Sequence, residues 1–67
     1  MPRVRDRFAV RLRHLREKAQ LTQVELSRAS GITQGTLSQY EAGLRSPRWC
    51  SVLRLCQALK VDPREFL

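Results

Sequence analysis

The chain reads as all-α, a compact bundle of four to five short helices, and three observations point there. Thr22-Gln23-Val24-Glu25 has the form of a capping box: the Thr22 hydroxyl accepts from the Glu25 amide, and the Glu25 carboxylate accepts from the Thr22 amide. A second cap, Thr33, follows eleven residues later, with Ile32 and Leu37 at the staple offsets that Leu21 and Leu26 hold around the first. Gly31 lies between, where the chain must pass through a left-handed conformation that glycine takes cheaply. A short helix, a tight glycine turn and a second short helix make a helix-turn-helix, which projects its second helix outward.

The elements follow in order. The first helix is predicted from about Arg5 to Ala19, with Phe8, Leu12, Leu15 and Ala19 on one face at helical spacing and arginines crowding the others. Gln20 and Leu21 join it to a second helix, about Gln23 to Ser30, whose inner face is expected to be Val24, Leu26 and Ser27. The third, about Gln34 to Ala42, buries Leu37 and Tyr40 and stops at Gly43. Ser46-Pro47 opens a fourth, about Arg48 to Leu59, which carries Trp49, Val52, Leu53, Leu55, Cys56 and Leu59. Trp49 is expected in the core. Asp62-Pro63 is a cap with proline at the first helical position, and the short turn behind it survives only if Phe66 and Leu67 dock on the core. No β alternation, repeat, low-complexity tract or linker is visible, so residues 1–67 are expected to form one domain.

Composition narrows the partners. The 67 residues are 42% hydrophobic, enough for one helical core at a size near the lower limit for unaided folding. Thirteen Lys and Arg against six Asp and Glu leave +7, which favours a polyanionic partner: nucleic acid ahead of an anionic membrane surface. A solvated basic surface that only aids solubility is the plainer alternative. No apolar run approaches the roughly 20 residues of a membrane span. The basic N-terminus has no apolar stretch behind it, so no secretory signal is expected. Cys50 and Cys56 are separated by about 9 Å of helical rise and point to different sides, so they cannot pair within one helix. Reduced thiols in a cytoplasmic protein are the simplest reading. With His14 the only histidine, no metal-ligand spacing exists and no cofactor is expected. No activated nucleophile or phosphate-cradling glycine loop is present, and an enzyme is not expected.

Residues 21–47, LTQVELSRASGITQGTLSQYEAGLRSP, resemble the helix-turn-helix of the phage-repressor and Cro-like transcription regulators, the xenobiotic-response-element type. The resemblance extends through LRLCQALKVDPREFL and covers about Phe8 to Leu67. It rests on Gln23, a small Ser27, Gly31, Leu37, Glu41, Gly43 and Pro47 in register. It implies a lambda-repressor-like DNA-binding domain in a bacterial or phage cytoplasm, associated with the nucleoid. Ser27 has a physical reason of its own, since a bulky side chain there would push the paired helices apart. Arg16 and Glu41 match positions that pair across the first and third helices of related repressors.

The same resemblance places the third helix in a major groove of double-stranded DNA, with Gln34, Gly35, Thr36, Ser38 and Gln39 toward the bases. Glutamine suits this work because one amide donates and accepts together, bidentate to adenine. Thr36 offers a methyl to thymine and a hydroxyl to either partner. Gly35 departs from the pattern, because relatives often place a base-reading side chain there. It either permits close approach of the backbone or leaves one contact missing. Phosphates are expected to supply most of the affinity, through Gln23, Thr33, Arg45 and Arg48. Arg3, Arg5 and Arg7 form either a basic arm or a solvated charge run.

One such domain covers little DNA, and relatives bind palindromes as two-fold dimers, with half-sites roughly 34 Å apart. The dimer contacts are expected from the fourth and fifth helix region, Lys60 to Leu67, with Trp49 or Cys50 possible neighbours. The leading expectation is a sequence-specific transcriptional regulator, a repressor or autoregulator. The alternative is a protein-interaction module of the same fold, antitoxin-like or polymerase-binding, with weak DNA contact.

Overall fold

Four α-helices and one 3-10 turn make up the structure, a computed structural model that describes the backbone of residues 4–66 and the side chains of residues 7–66. The helices are α1 (Val4–Lys18), α2 (Gln23–Ser30), α3 (Gln34–Glu41) and α4 (Trp49–Leu59), and the 3-10 turn spans Pro63–Phe66. No strand occurs among the described residues. Arg3, Leu67 and the side chain of Arg5 lie outside what is described.

Each helix supplies one leucine with no exposed surface: Leu12 from α1, Leu26 from α2, Leu37 from α3 and Leu55 from α4. Burying such a side chain contributes about 1.5–3 kcal/mol, so these four set the centre of the core. Around them pack Phe8, Leu15, Ile32, Tyr40, Val52, Cys56, Leu59 and Phe66. Burial pushes the Cys56 thiol up. α1 lies against α3, and α2 against both α3 and α4. The 3-10 turn closes the bundle by packing on α1 and α4. Its Phe66 ring stands 5.0 Å from that of Phe8, which meets Tyr40 edge-on at 5.7 Å. Three elements distant in sequence thus share one aromatic cluster. Asp62 starts the turn by accepting from the Arg64 amide at 2.9 Å, and that bond holds its carboxyl below the usual carboxylate range.

Three of the four helices end by a shared mechanism. After α1, Gln20 takes φ 60°, its amide donates to the Glu17 carbonyl and the Leu21 amide donates to the Arg16 carbonyl. After α3, Gly43 takes φ 73° and the amides of Gly43 and Leu44 donate to Tyr40 and Gln39. After α4, Lys60 takes φ 57° and the amides of Lys60 and Val61 donate to Gln57 and Cys56. All three are Schellman motifs, with the left-handed residue just past the last turn. Only one of the three uses glycine.

Several sequence expectations shift. Ala19, expected on the buried face of α1, is exposed, because the helix ends at Lys18 and Gln20 turns the chain away. Ala9 is buried instead. Val24 is 40% exposed rather than inward. Two residues apart on a helix lie on opposite sides, so with Leu26 inside Val24 must face out. Trp49, expected in the core, is 64% exposed, and Leu53 is 39% exposed. The buried stripe of α4 is Val52, Leu55, Cys56 and Leu59; Trp49 lies off its edge, on the first residue of the helix. Arg48 precedes the helix as its cap residue and makes no side-chain capping bond. α3 stops at Glu41, with Ala42 as its cap.

Candidate nucleic-acid interface

The turn between α2 and α3 is fixed from within the chain. At the start of α2 the Glu25 amide donates to the Thr22 hydroxyl at 3.1 Å, and the Thr22 amide donates to the Glu25 carboxylate at 2.9 Å. The second bond holds the Glu25 carboxyl below its ordinary range. At the other end Gly31 takes φ 74°, where a side chain would be strained, and its amide donates to the Ser27 carbonyl. Ile32 follows with its side chain buried and both backbone groups satisfied by serines of α2. The Ser27 hydroxyl donates to its carbonyl at 2.5 Å, and its amide donates to the Ser30 hydroxyl at 3.2 Å. Ser27 therefore does more than keep the helices close. Ser30, the one buried polar residue among those described, is a structural residue that the sequence pattern did not signal.

α3 starts at Thr33, whose hydroxyl accepts from the Thr36 amide at 3.3 Å and donates to the Thr36 hydroxyl oxygen at 2.8 Å. Leu37 and Tyr40 point into the core. At the far end Arg16 grips Glu41 with two bonds, Nε to Oε2 at 2.7 Å and Nη2 to Oε1 at 2.9 Å. Its remaining Nη1 donates to the Leu21 carbonyl at 2.9 Å. The two side chains are only 15% and 7% exposed. One guanidinium thus ties α1, the α1–α2 connection and α3 together, and the bond to Glu41 raises the Arg16 pKa above its ordinary value. Bidentate pairing of this kind fixes orientation as well as distance.

With its inner side held, α3 turns Gln34, Gly35, Ser38 and Gln39 to solvent, while Thr36 is half-buried. Beyond the helix, Arg45 and Arg48 are exposed, and Arg45 Nη1 donates to Gln39 Oε1 at 3.3 Å. The left-handed Gly43 reverses the chain between these two residues, and a contact that depends on such a reversal has no sequence spacing to announce it. Gln23, the first residue of α2, is half-buried, and Thr33 is exposed despite its capping bonds. Arg7, Arg11, Arg13 and His14 are exposed on α1. Chemically, this surface offers amide groups that donate and accept, hydroxyls, and a flanking pair of guanidinium groups. It offers nothing that would hold a metal: no group of three His, Cys, Asp or Glu is suitably placed among the described residues. Nor is any described helix long and apolar enough to cross a membrane.

Comparison with known proteins agrees with this geometry. A family described as "Helix-turn-helix domain" matches residues 7–67. Among solved structures, the chain is similar to the restriction-modification controller protein C.AhdI from Aeromonas hydrophila. The two share 33% identity and superpose with a TM-score of 0.91, over 94% of this chain and 96% of that one. No curated protein matches the chain in sequence.

Proposed function

The chain belongs to the helix-turn-helix domain family, and we propose that it is a sequence-specific regulator of transcription, of the controller type, that binds a palindromic operator as a homodimer. α3 enters the major groove, Gln34, Thr36, Ser38 and Gln39 read base edges, and Gln23, Thr33, Arg45 and Arg48 contact phosphates. One observation carries the reading. The outer face of α3 is polar and exposed, while its inner face is locked by a part-buried ion pair and two core side chains. A rigid support under an exposed polar face is what base readout requires, because groups that arrive already oriented lose little entropy on binding.

The charge of +7 supplies the sequence-independent attraction. The exposed Trp49 and Leu53, on a helix adjoining the Lys60–Leu67 region, supply an apolar surface for the second protomer. The same surface would serve a different protein partner if the fold worked as an interaction module. Selection of bound duplexes from a random pool separates the two readings. A palindromic consensus with half-sites roughly 34 Å apart is the expected result. Binding should weaken steeply with salt, and Arg48→Ala should reduce the slope of log affinity against log salt by about 1. Equal, feeble binding of every duplex would overturn the reading.

A further inference from the structure

We propose that Gly35 is a steric specificity determinant, left without a side chain so that the 5-methyl group of a thymine can come against the backbone of α3. The proposal rests on the DNA-reading role of that helix.

Gly35 is the second residue of an eight-residue helix, in its first turn, where glycine costs less than in the interior but is still a poorer helix former than alanine. The fold supplies no reason for it. Gly31 and Gly43 are the glycines with positive φ, whereas Gly35 has ordinary helical geometry. A Cβ built on Gly35 would meet nothing within 4 Å, so no neighbouring side chain or backbone needs the space. Neither conformation nor packing accounts for the residue. The open space beside it is available to a group from outside the chain.

Gly35 shares its helical face with Ser38 and Gln39, three and four residues on, and Gln34 precedes it; all are exposed. The bare Cα is therefore set among the polar side chains proposed to read bases, next to the methyl of the half-buried Thr36. On the major-groove edge the bulky apolar group is the thymine methyl, which is recognised by contact and shape rather than by a hydrogen bond. A side chain at position 35 would fill the space that the methyl needs.

The proposal makes stability and binding move in opposite directions. G35A should raise the melting temperature by roughly 2–6 °C, because alanine is the better helix former. It should also weaken binding to the selected duplex by about tenfold, a loss of the size that one misplaced base contact causes. Replacing thymine by deoxyuridine, one position at a time, deletes the methyl from the DNA side. At one position per half-site this should restore much of the affinity of G35A while weakening the unsubstituted protein. Unchanged or tighter binding by G35A would overturn the proposal. So would a loss that no deoxyuridine rescues, or a fall in melting temperature, which would make the glycine a folding requirement. Failure of the unsubstituted protein to enrich any consensus is a separate result, and it would remove the DNA-reading role itself.

Discussion

α3 and α4 have equivalent inner faces and opposite outer ones. Each sends a leucine with no exposed surface into the core, Leu37 from α3 and Leu55 from α4. Outward, α3 presents Gln34, Gly35, Ser38 and Gln39, whereas α4 presents Trp49, Cys50 and Leu53 beside Arg54 and Gln57. An exposed amide is content in water and equally content against a base edge, so its affinity for a partner comes from geometry. An exposed indole is poorly solvated and gains from any apolar surface that covers it. The two faces thus fit two classes of partner, and the proposed function assigns DNA to one and a second protomer to the other. The anchoring of the two helices differs as well. α3 is clamped by Arg16 at its far end, while α4 begins without a side-chain cap.

The clamp should show the largest effect. Glu41→Ala leaves the Arg16 guanidinium mostly buried with the Leu21 carbonyl as its remaining described partner. Removing one member of a buried pair costs about 3–5 kcal/mol, much of it the penalty of the stranded charge, and this part-buried pair should fall at the low end, about 3 kcal/mol. In a domain of this size that is a large part of total stability, since small domains have about 0.05–0.15 kcal/mol per residue. Thermal melting by circular dichroism should show a variant largely unfolded near 37 °C. A melt within a few degrees of the parent would mean that α3 is held by its leucine and tyrosine alone, and the contrast in anchoring would vanish.

Trp49→Ala tests the apolar face. Because the residue is 64% exposed, the folded protomer should lose less than about 0.5 kcal/mol. The proposed dimer should suffer more, since a tryptophan buried in an interface is worth about 2–4 kcal/mol. Sedimentation equilibrium should show dissociation at thirtyfold or more higher concentration than for the parent. An unaltered association constant would leave α4 with no partner and break the division of labour.

How much of this was legible in the sequence depends on range. The caps at Thr22 and Thr33, the left-handed Gly31 and the stop at Gly43 are local events, written in neighbouring residues, and the helices fall within a residue or so of their expected ends. The joining of Phe8, Tyr40 and Phe66 is not local, and no spacing announces it. α4 shows a second limit. It is apolar on more than one side, so periodicity alone allows several stripes, and only the positions of α2 and the 3-10 turn select Val52, Leu55, Cys56 and Leu59. Trp49 falls outside the selected stripe for that reason. Gln20 and Lys60 show a third: both adopt left-handed geometry without the glycine that would have signalled it. On the candidate site, the polar face of α3 was readable from residue type. The serine bonds that hold the turn were not, because they reach from side chain to backbone across the turn itself.

Gln34→Ala probes the polar face and should leave stability nearly untouched, since the residue is exposed. Binding to the selected duplex should fall by about 1–3 kcal/mol, with relaxed preference at one base position. A repeat of the selection with the variant reads both effects. An unchanged consensus would take Gln34 out of the reading set and shift the burden to Gln39, whose oxygen already accepts from Arg45.

The smallest effect sharpens the comparison at the helix ends. α3 stops on Gly43 at φ 73° and α4 on Lys60 at φ 57°, within the same pattern of backbone bonds. A residue with a Cβ is strained there by about 1–2 kcal/mol, partly offset because glycine loses more freedom on folding. Lys60→Gly should therefore stabilise the protomer by roughly 0.5–1 kcal/mol, or a few degrees of melting temperature. Gly43→Ala should destabilise it by a similar amount. The Lys60 melt belongs at protein concentrations below the dimer midpoint, so that folding and association are not confounded. A stabilised protomer with unaltered dimerisation would make the lysine a residue of no structural merit at that turn. Stabilisation offset by weaker dimerisation or DNA binding would instead show that the charge at position 60 is kept for a partner, at the expense of the fold.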